Sequence, residues 1–425
     1  MNIGILGLGT VGGGVVNVLE KNQQEIIRRC GVQVHITHAA VRDIKQKRIC
    51  STDGIQLTQD PFEIVNNPNI DIVLELIGGT SLALDLVETA INNGKHVITA
   101  NKALIATAGN ELLQKAKNNN VHLLFEASVA GGIPILKSLE QGLSANQIEW
   151  VAGIINGTGN FILTEMRDKG RDFEDVLKEA QALGYAEADP TFDVEGIDAA
   201  HKLAIISSIA FGSELNFDKV STEGISKVEP EDVAFATELG YSIKHLGIAK
   251  KYDGKIEMRV HPTLIPKRRL LANVDGVMNA VLVKGNAVGP TLYYGAGAGD
   301  DATASAVIAD LIDIIKGTIS EDVLGWQSFE PMICRDDDEI LSIFYLRLLA
   351  TDKPGVLADI TAIFAQHNIS VEAVVQKQVD EQNNAHIAII TNKVRTSEMN
   401  AAVAEIQDRN FIQEAVKIIH VETLD

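Results

Sequence analysis

Three glycines, Gly7, Gly9 and Gly12, constrain this chain more than any other feature. They follow a short apolar run, Met1 to Leu6, suited to a buried strand, and precede an apolar run to Leu19 that reads as a helix. Strand, tight turn and helix around G-x-G-x-x-G open a dinucleotide-binding βαβ unit. Gly7 allows the sharp turn, Gly9 lets the backbone approach a pyrophosphate, and Gly12 lets helix and strand pack closely. The helix N-terminus then offers unpaired N–H groups and a partial positive charge to that anion.

The next strand bears on which nucleotide is held. Val34 to Val41 reads as the second strand and is followed by Arg42, Asp43, Lys45, Lys47 and Arg48. Cations at that strand end suit the 2′-phosphate of NADP, with Arg42 as the contact. Asp43 leaves NAD open, and a solvated charged loop is the bland alternative.

At 425 residues the chain predicts two or three domains. No apolar run reaches the ~18 residues of a membrane span, and no basic region opens a signal peptide. A formal charge of −20 argues against nucleic acid and anionic membranes as partners. Cys30, Cys50 and Cys334 lack metal-type spacing, so a reducing cytoplasm is expected.

Strands and helices alternate to about residue 125, predicting an α/β fold with a Rossmann-like parallel sheet. Strands are expected at Ile70–Leu76, Lys95–Thr99 and Val121–Phe125, with helices at Leu82–Asn92 and near Asn110–Lys117. From about residue 147 the rhythm becomes that of an α+β substrate domain. A strand at Ile148–Ile155 precedes helices at Phe161–Lys169, Phe173–Leu183 and Val194–Phe211, and antiparallel strands fill residues 255–294. Gly295 to Gly299 then lead into a helix at Ala302–Ile315, expected to return to the nucleotide, with Asp300 and Asp301 as its caps. A linker with Pro331 precedes a separate ferredoxin-like βαββαβ module. Its strands are expected at Leu341–Ala350, Ile369–Gln378, Ala385–Thr391 and Ala415–Val421, and its helices at Val356–Gln366 and Ser397–Gln407. The boundaries are 1–130 for the nucleotide domain (completed by about 300–320), 131–320 for the catalytic and dimerisation domain, 321–340 for the linker and 341–425 for the last module.

Four segments in order carry a family resemblance: Thr99-Ala100-Asn101-Lys102-Ala103-Leu104, Glu126 to Pro134 (EASVAGGIP), Asn156-Gly157-Thr158-Gly159-Asn160, and Leu183 to Lys202 (LGYAEADPTFDVEGIDAAHK). Together they resemble the homoserine dehydrogenases across residues 1–320. The tail, with Asp352-Lys353-Pro354-Gly355-Val356-Leu357, resembles an ACT domain, an amino-acid-sensing module. The resemblance implies NAD(P)-dependent interconversion of aspartate-4-semialdehyde and homoserine, on the route to threonine and methionine. It implies Lys202 as proton donor, Lys102 beside nicotinamide and substrate, and Glu187 and Asp198 as homoserine contacts. Thr10, Val11, Gly184 and Gly299 would line the cofactor. Glu126, with main-chain oxygens of Val129, Gly131 and Ile133, matches the family's monovalent-cation site, usually sodium. An effector site in the ACT module would use Asp352, Gly355, Asn368 and Ile369, with threonine as effector, and the chain would form a homodimer or homotetramer.

The chemistry fits these residue types. Reducing an aldehyde needs a hydride at carbon and a proton for an oxygen that gathers negative charge, and a fixed ammonium supplies charge and proton together. Asp198 and Lys202 are four apart, so on a helix they share a face. The alternative is a surface ion pair contributing ~0.3–0.5 kcal/mol. Glu187, Asp189, Asp193, Glu195 and Asp198 invite a divalent-metal interpretation that hydride transfer does not require. His201 points about 100° away from Lys202 on a helix and is read as a packing residue. A dehydrogenase of another amino-acid-derived aldehyde, and a non-catalytic nucleotide and amino-acid sensor, are the rival functions.

Overall fold

The computed structural model describes residues 1–319, 324–377 and 379–425. Six strands, β1 (Asn2–Leu6), β2 (His35–Ala40), β3 (Gln56–Thr58), β4 (Ile72–Glu75), β5 (His96–Thr99) and β6 (Leu123–Leu124), form one sheet. Its order is β3-β2-β1-β4-β5-β6, and every pairing is parallel. Ile72, Leu74 and Ile98 pack on one face while Val73 and Val97 pack on the other, so the strands are apolar throughout. Strand order reverses at β1 and β4, and the glycine turn after β1 stands at that switch point.

The Asp300–Lys316 helix returns as expected and buries Ala304, Val307 and Leu311 against Ile3, Ile5 and Val15. Contact is close enough that a Cβ on Gly14 would lie 2.7 Å from the Asp300 carbonyl oxygen. Asp300 and Asp301 are not its caps, however. The cap position belongs to Gly299, at φ +119, and the two aspartates occupy the first turn, where they face the positive end of the helix dipole.

The second sheet contains β7 (Ile148–Ile154), β8 (Ser221–Thr222), β9 (Tyr241–Tyr252), β10 (Lys255–Pro266), β11 (Met278–Gly285) and β12 (Gly289–Ala296). Sequence patterning left β9 unassigned because lysines and a histidine interrupt its apolar run. Lys244 is nonetheless buried, and its Nζ donates to the Val274 carbonyl at 2.6 Å and pairs with Asp275 at 2.9 Å. The helix expected at Val194–Phe211 is broken into Thr191–Val194 and Ile197–Phe211. Gly196 makes the break at φ +83, where a Cβ would come within 3.0 Å of His245 and Val260.

The last module has the expected βαββαβ order: β13 (Leu341–Thr351), β14 (Val371–Gln376), β15 (Asn384–Thr391), the short β16 (Val394–Arg395) and β17 (Lys417–Val421), with helices Val356–Gln366 and Thr396–Gln407. It is not separate. β17 pairs in parallel with β10 through Thr263–His420 and Leu264–Val421, so one eleven-stranded sheet runs through both regions: nine strands in the order β12-β11-β7-β9-β10-β17-β13-β15-β14, with β8 paired to β10 and β16 to β13 off that path. Nor is the linker a free spacer. Trp326 lies on Gly212 and donates from Nε1 to the Ile209 carbonyl at 2.8 Å, and Glu330 N–H donates to the Gly212 carbonyl at 2.9 Å. The expected linker's residues 321–323, residue 320 before them, and residue 378 at the end of the second expected ACT strand lie outside the described residues.

Arg347 of β13 anchors the module. Its Nε donates to Asp232 at 2.6 Å and its other arm pairs with Glu229, the two acids that form the capping box of the Pro230–Glu238 helix. Both Arg347 and Asp232 are buried. Arg347→Met strands a buried carboxylate and is expected to cost about 3–5 kcal/mol in urea denaturation. Adding Asp232→Asn to that variant should recover part of the loss.

Candidate active site

Gly7 turns the chain at φ +96, and Gly12 packs so tightly beneath it that a Cβ would sit 2.0 Å from the Gly7 carbonyl oxygen. At Gly9 a Cβ would meet nothing within 4 Å, so this face is open for an anion at the start of the Thr10–Lys21 helix. Arg42 lies just beyond β2 with an exposed side chain. Arg48 is instead tied to loop carbonyls, donating to Gln46 at 2.7 Å, which leaves Arg42 nearer the role of phosphate contact.

A cavity of about 600 Å³ brings the cofactor turn and the substrate candidates together, with Val11, Gly299, Lys102, Glu187, Asp198 and Lys202 all on its wall. Gly184 and Gly131 line it too. Lys102 is the first residue of the Lys102–Asn118 helix, which begins at the carboxyl end of β5 and is capped by the Asn101 side chain. Lys202 lies one turn beyond Asp198 on Ile197–Phe211.

Asp198 joins the two lysines. Lys102 Nζ stands 3.1 Å from Oδ1, and Lys202 Nζ stands 2.7 Å from Oδ2. Lys202 also donates to the Ile155 carbonyl at 2.7 Å. The pair is no surface bridge, since the side chains of Asp198 and Lys202 are only 6% and 12% exposed. Burial pushes the Asp198 carboxyl up, but the charges of Lys202 and Lys102 outweigh it and hold the group at about 2. Asp198 therefore stays a carboxylate across the working pH range.

Glu187 is exposed at the cavity wall. Of the other acids, Asp189 accepts from Thr191 N–H and Glu195 from Ser226, while Asp193 stays on the catalytic cavity wall and accepts from Asn156. His201 packs as expected, its ring 4.2 Å from Phe217 and 5.5 Å from Phe192. Burial, then the charge of Lys102, lowers its pKa. Phe192 went unread in the sequence, and its ring lies 5.6 Å beneath Lys102 Nζ. Asn156, the first residue of the Asn156–Asn160 motif, touches both Asp193 and Asp198.

The cation candidates fall on two cavities. Glu126 lines one of about 390 Å³ with Lys137 and Asp310, while Gly131 faces the catalytic cavity. The Glu126 carboxylate accepts from the N–H groups of Leu136 at 3.0 Å and Lys137 at 2.8 Å. Burial, and then the charge of Asp310, pushes it up to about 8. Val129 and Ile133 are buried beside a turn in which Ala130 and Gly131 have φ +54 and +49. A buried carboxyl beside another acid suits a hard cation in charge, but both Glu126 oxygens already accept main-chain N–H groups and Asp310 pairs with Lys137 Nζ at 2.9 Å.

In the ACT region Asp352 and Gly355 line a cavity of about 360 Å³. Asn368 and Ile369 do not join them, contrary to the sequence expectation. The eleven-residue helix Val356–Gln366 intervenes, roughly 16 Å of rise. Ile369 is buried in the module's core instead.

A phosphate-ready glycine turn that shares a cavity with two carboxylate-held ammonium groups defines a nicotinamide-dependent oxidoreductase. Comparison with known proteins narrows this. Residues 7–126 match the family model described as homoserine dehydrogenase, NAD binding domain, residues 134–312 match homoserine dehydrogenase, and residues 344–410 match the ACT domain. The chain belongs to the homoserine dehydrogenase family. It is 53% identical to the homoserine dehydrogenase of Pseudomonas aeruginosa over 100% of this chain and 99% of that one, and 51% identical to that of Neisseria gonorrhoeae with the same coverage. A crystal structure of a homoserine dehydrogenase from Thiobacillus denitrificans superimposes with TM-score 0.94 at 53% identity, covering 100% of this chain and 99% of that one. A hyperthermophilic archaeal homoserine dehydrogenase mutant solved with NADPH matches 76% of this chain and 99% of its own, at 28% identity and TM-score 0.65. Among the described residues no helix is long and apolar enough to cross a membrane.

Gly9→Ala tests the cradle. Nothing in the fold opposes the methyl, so the melting temperature should hold while the dissociation constant for the reduced nicotinamide, read by fluorescence titration, rises at least about tenfold. Gly12→Ala should lose both.

Proposed function

We propose that this enzyme interconverts L-aspartate-4-semialdehyde and L-homoserine with Lys202 as proton donor and NADP as its preferred carrier. One observation carries the assignment: two ammonium groups share a buried carboxylate in the cavity that the cofactor turn opens onto. When bound, the reduced nicotinamide supplies the hydride. Lys202 gives its proton to the carbonyl oxygen as charge develops there, and Lys102 adds a second positive charge beside it. Asp198 keeps both ammonium groups in place, in addition to the homoserine contact expected of it. Glu187, at the cavity wall, accepts from the substrate's α-ammonium group. Thr10, Val11, Gly184 and Gly299 flank the cofactor, and Arg42 takes the 2′-phosphate.

Glu126, with the carbonyls of Val129, Gly131 and Ile133, holds a monovalent cation, sodium by family likeness. The ACT module binds an amino acid near Asp352 and Gly355, with threonine as feedback effector for the threonine and methionine route. The chain works in the cytoplasm as a homodimer or homotetramer.

Lys202→Ala should reduce kcat about 10²- to 10⁴-fold while the dissociation constant for NADPH stays within twofold. Wild-type turnover in that variant would remove Lys202 from the chemistry. Arg42→Ala should lower kcat/KM with NADP about tenfold or more and leave NAD nearly unaffected, read by absorbance of the reduced nicotinamide. The same assay with added threonine tests the effector assignment.

A further inference from the structure

We propose that Asn156 is a positioning residue that fixes the plane of the Asp198 carboxylate and, through it, the placement of Lys202. The inference rests on the roles given above to Lys102 and Lys202. Asn156 follows directly on Ile155, whose carbonyl accepts from Lys202 Nζ at 2.7 Å. Its own side chain grips the other member of the pair, with Nδ2 donating to Asp198 Oδ2 at 2.9 Å. Two adjacent residues at the end of β7 thus clamp both sides of the Asp198–Lys202 bridge.

The carboxamide has a single workable orientation. Its oxygen accepts from Gly159 N–H at 2.8 Å, capping the Gly157–Lys169 helix. Its two N–H bonds point at separate carboxylates, Asp198 and Asp193, the latter at 2.8 Å. Turned over, the amide would set an oxygen against two anions and an N–H against a backbone donor. Asn156 is buried at the wall of the catalytic cavity.

That arrangement fixes the plane of the Asp198 carboxylate. Oδ2 receives Asn156 and Lys202, and Oδ1 is left for Lys102. A carboxylate held only by two flexible ammonium side chains is otherwise free to tilt about its Cβ–Cγ bond and carry them with it. The amide also separates two acids that face one another. Asp193 is pushed up by burial, drawn down by the Asn156 bond, raised by Asp198 and lowered by Lys202 and Lys102. Neither the helix cap nor the packing requires this double donor. A serine caps as well, which makes the two roles separable.

Asn156→Ser keeps a helix-capping oxygen and deletes the bridge. Asn156→Asp keeps size and cap but replaces the donor with an anion. Both are to be assayed for homoserine oxidation as full-length enzyme, alongside Lys202→Ala. The expected result is a fall in kcat on the order of 10- to 100-fold for Asn156→Ser, with KM changed less than about threefold and nicotinamide binding kept. Asn156→Asp should fall further, and its kcat–pH profile should shift because a third carboxylate now faces Asp193 and Asp198. Wild-type kcat and pH profile in Asn156→Ser, beside an inactive Lys202→Ala, would overturn the positioning role alone. An active Lys202→Ala would overturn the underlying assignment. Loss of activity matched by collapsed melting temperature or lost cofactor binding in both Asn156 variants would mark a structural residue and also overturn the proposal.

Discussion

A carboxylate almost wholly removed from water, with an ammonium group on each oxygen, is the interaction around which this molecule is organised. Burying the Asp198 charge alone would be prohibitive, and it is tolerable only because it is paired with two ammonium groups and hydrogen-bonded. Asp198 meets that condition because three elements converge on it. The helix after β5 brings Lys102, the break at Gly196 places Asp198 in the first turn of its helix, and the end of β7 brings the Ile155 carbonyl and Asn156. Shifting any of them by an ångström would leave a buried charge unmatched. The cost of that mismatch ties the geometry of the site to the stability of the fold around it.

The continuous sheet also decides how the ACT region is held. The ACT region is joined to the catalytic region by backbone pairing between β10 and β17 and by the buried Arg347–Asp232 contact. The strap through Trp326 meanwhile lies against the C-terminal end of the helix that begins with Asp198 and Lys202. A module attached through a sheet and ion pairs cannot shift freely on a tether.

Much of the nucleotide half was legible from residue pattern. G-x-G-x-x-G, the apolar runs of β4 and β5 and the spacing of Asp198 and Lys202 each depend on local chemistry, and local chemistry is written in order along the chain. Where the pattern failed, a remote partner, a backbone dihedral or the length of a helix had decided the outcome. β9 hid behind Lys244 because Asp275, thirty-one residues away, neutralises it. Asp300 and Asp301 resemble caps, yet Gly299 holds the cap position because its positive φ turns the chain into the helix. Asn368 and Asp352 lie close in sequence, but a rigid helix drives them apart.

The amino-acid order by itself determined the strand–turn–helix cradle, the βαββαβ tail and the residue types able to move a proton beside a carbonyl. These follow from dihedral freedom, hydrophobic period and functional-group chemistry, which act over a few residues. Only the tertiary structure decided that Lys102 and Lys202 share one carboxylate, that Asn156 bridges two acids and that the tail's sheet merges with the catalytic one. Those outcomes depend on which surfaces meet when apolar area is buried and every enclosed charge has to find a partner, a condition set by the whole chain at once.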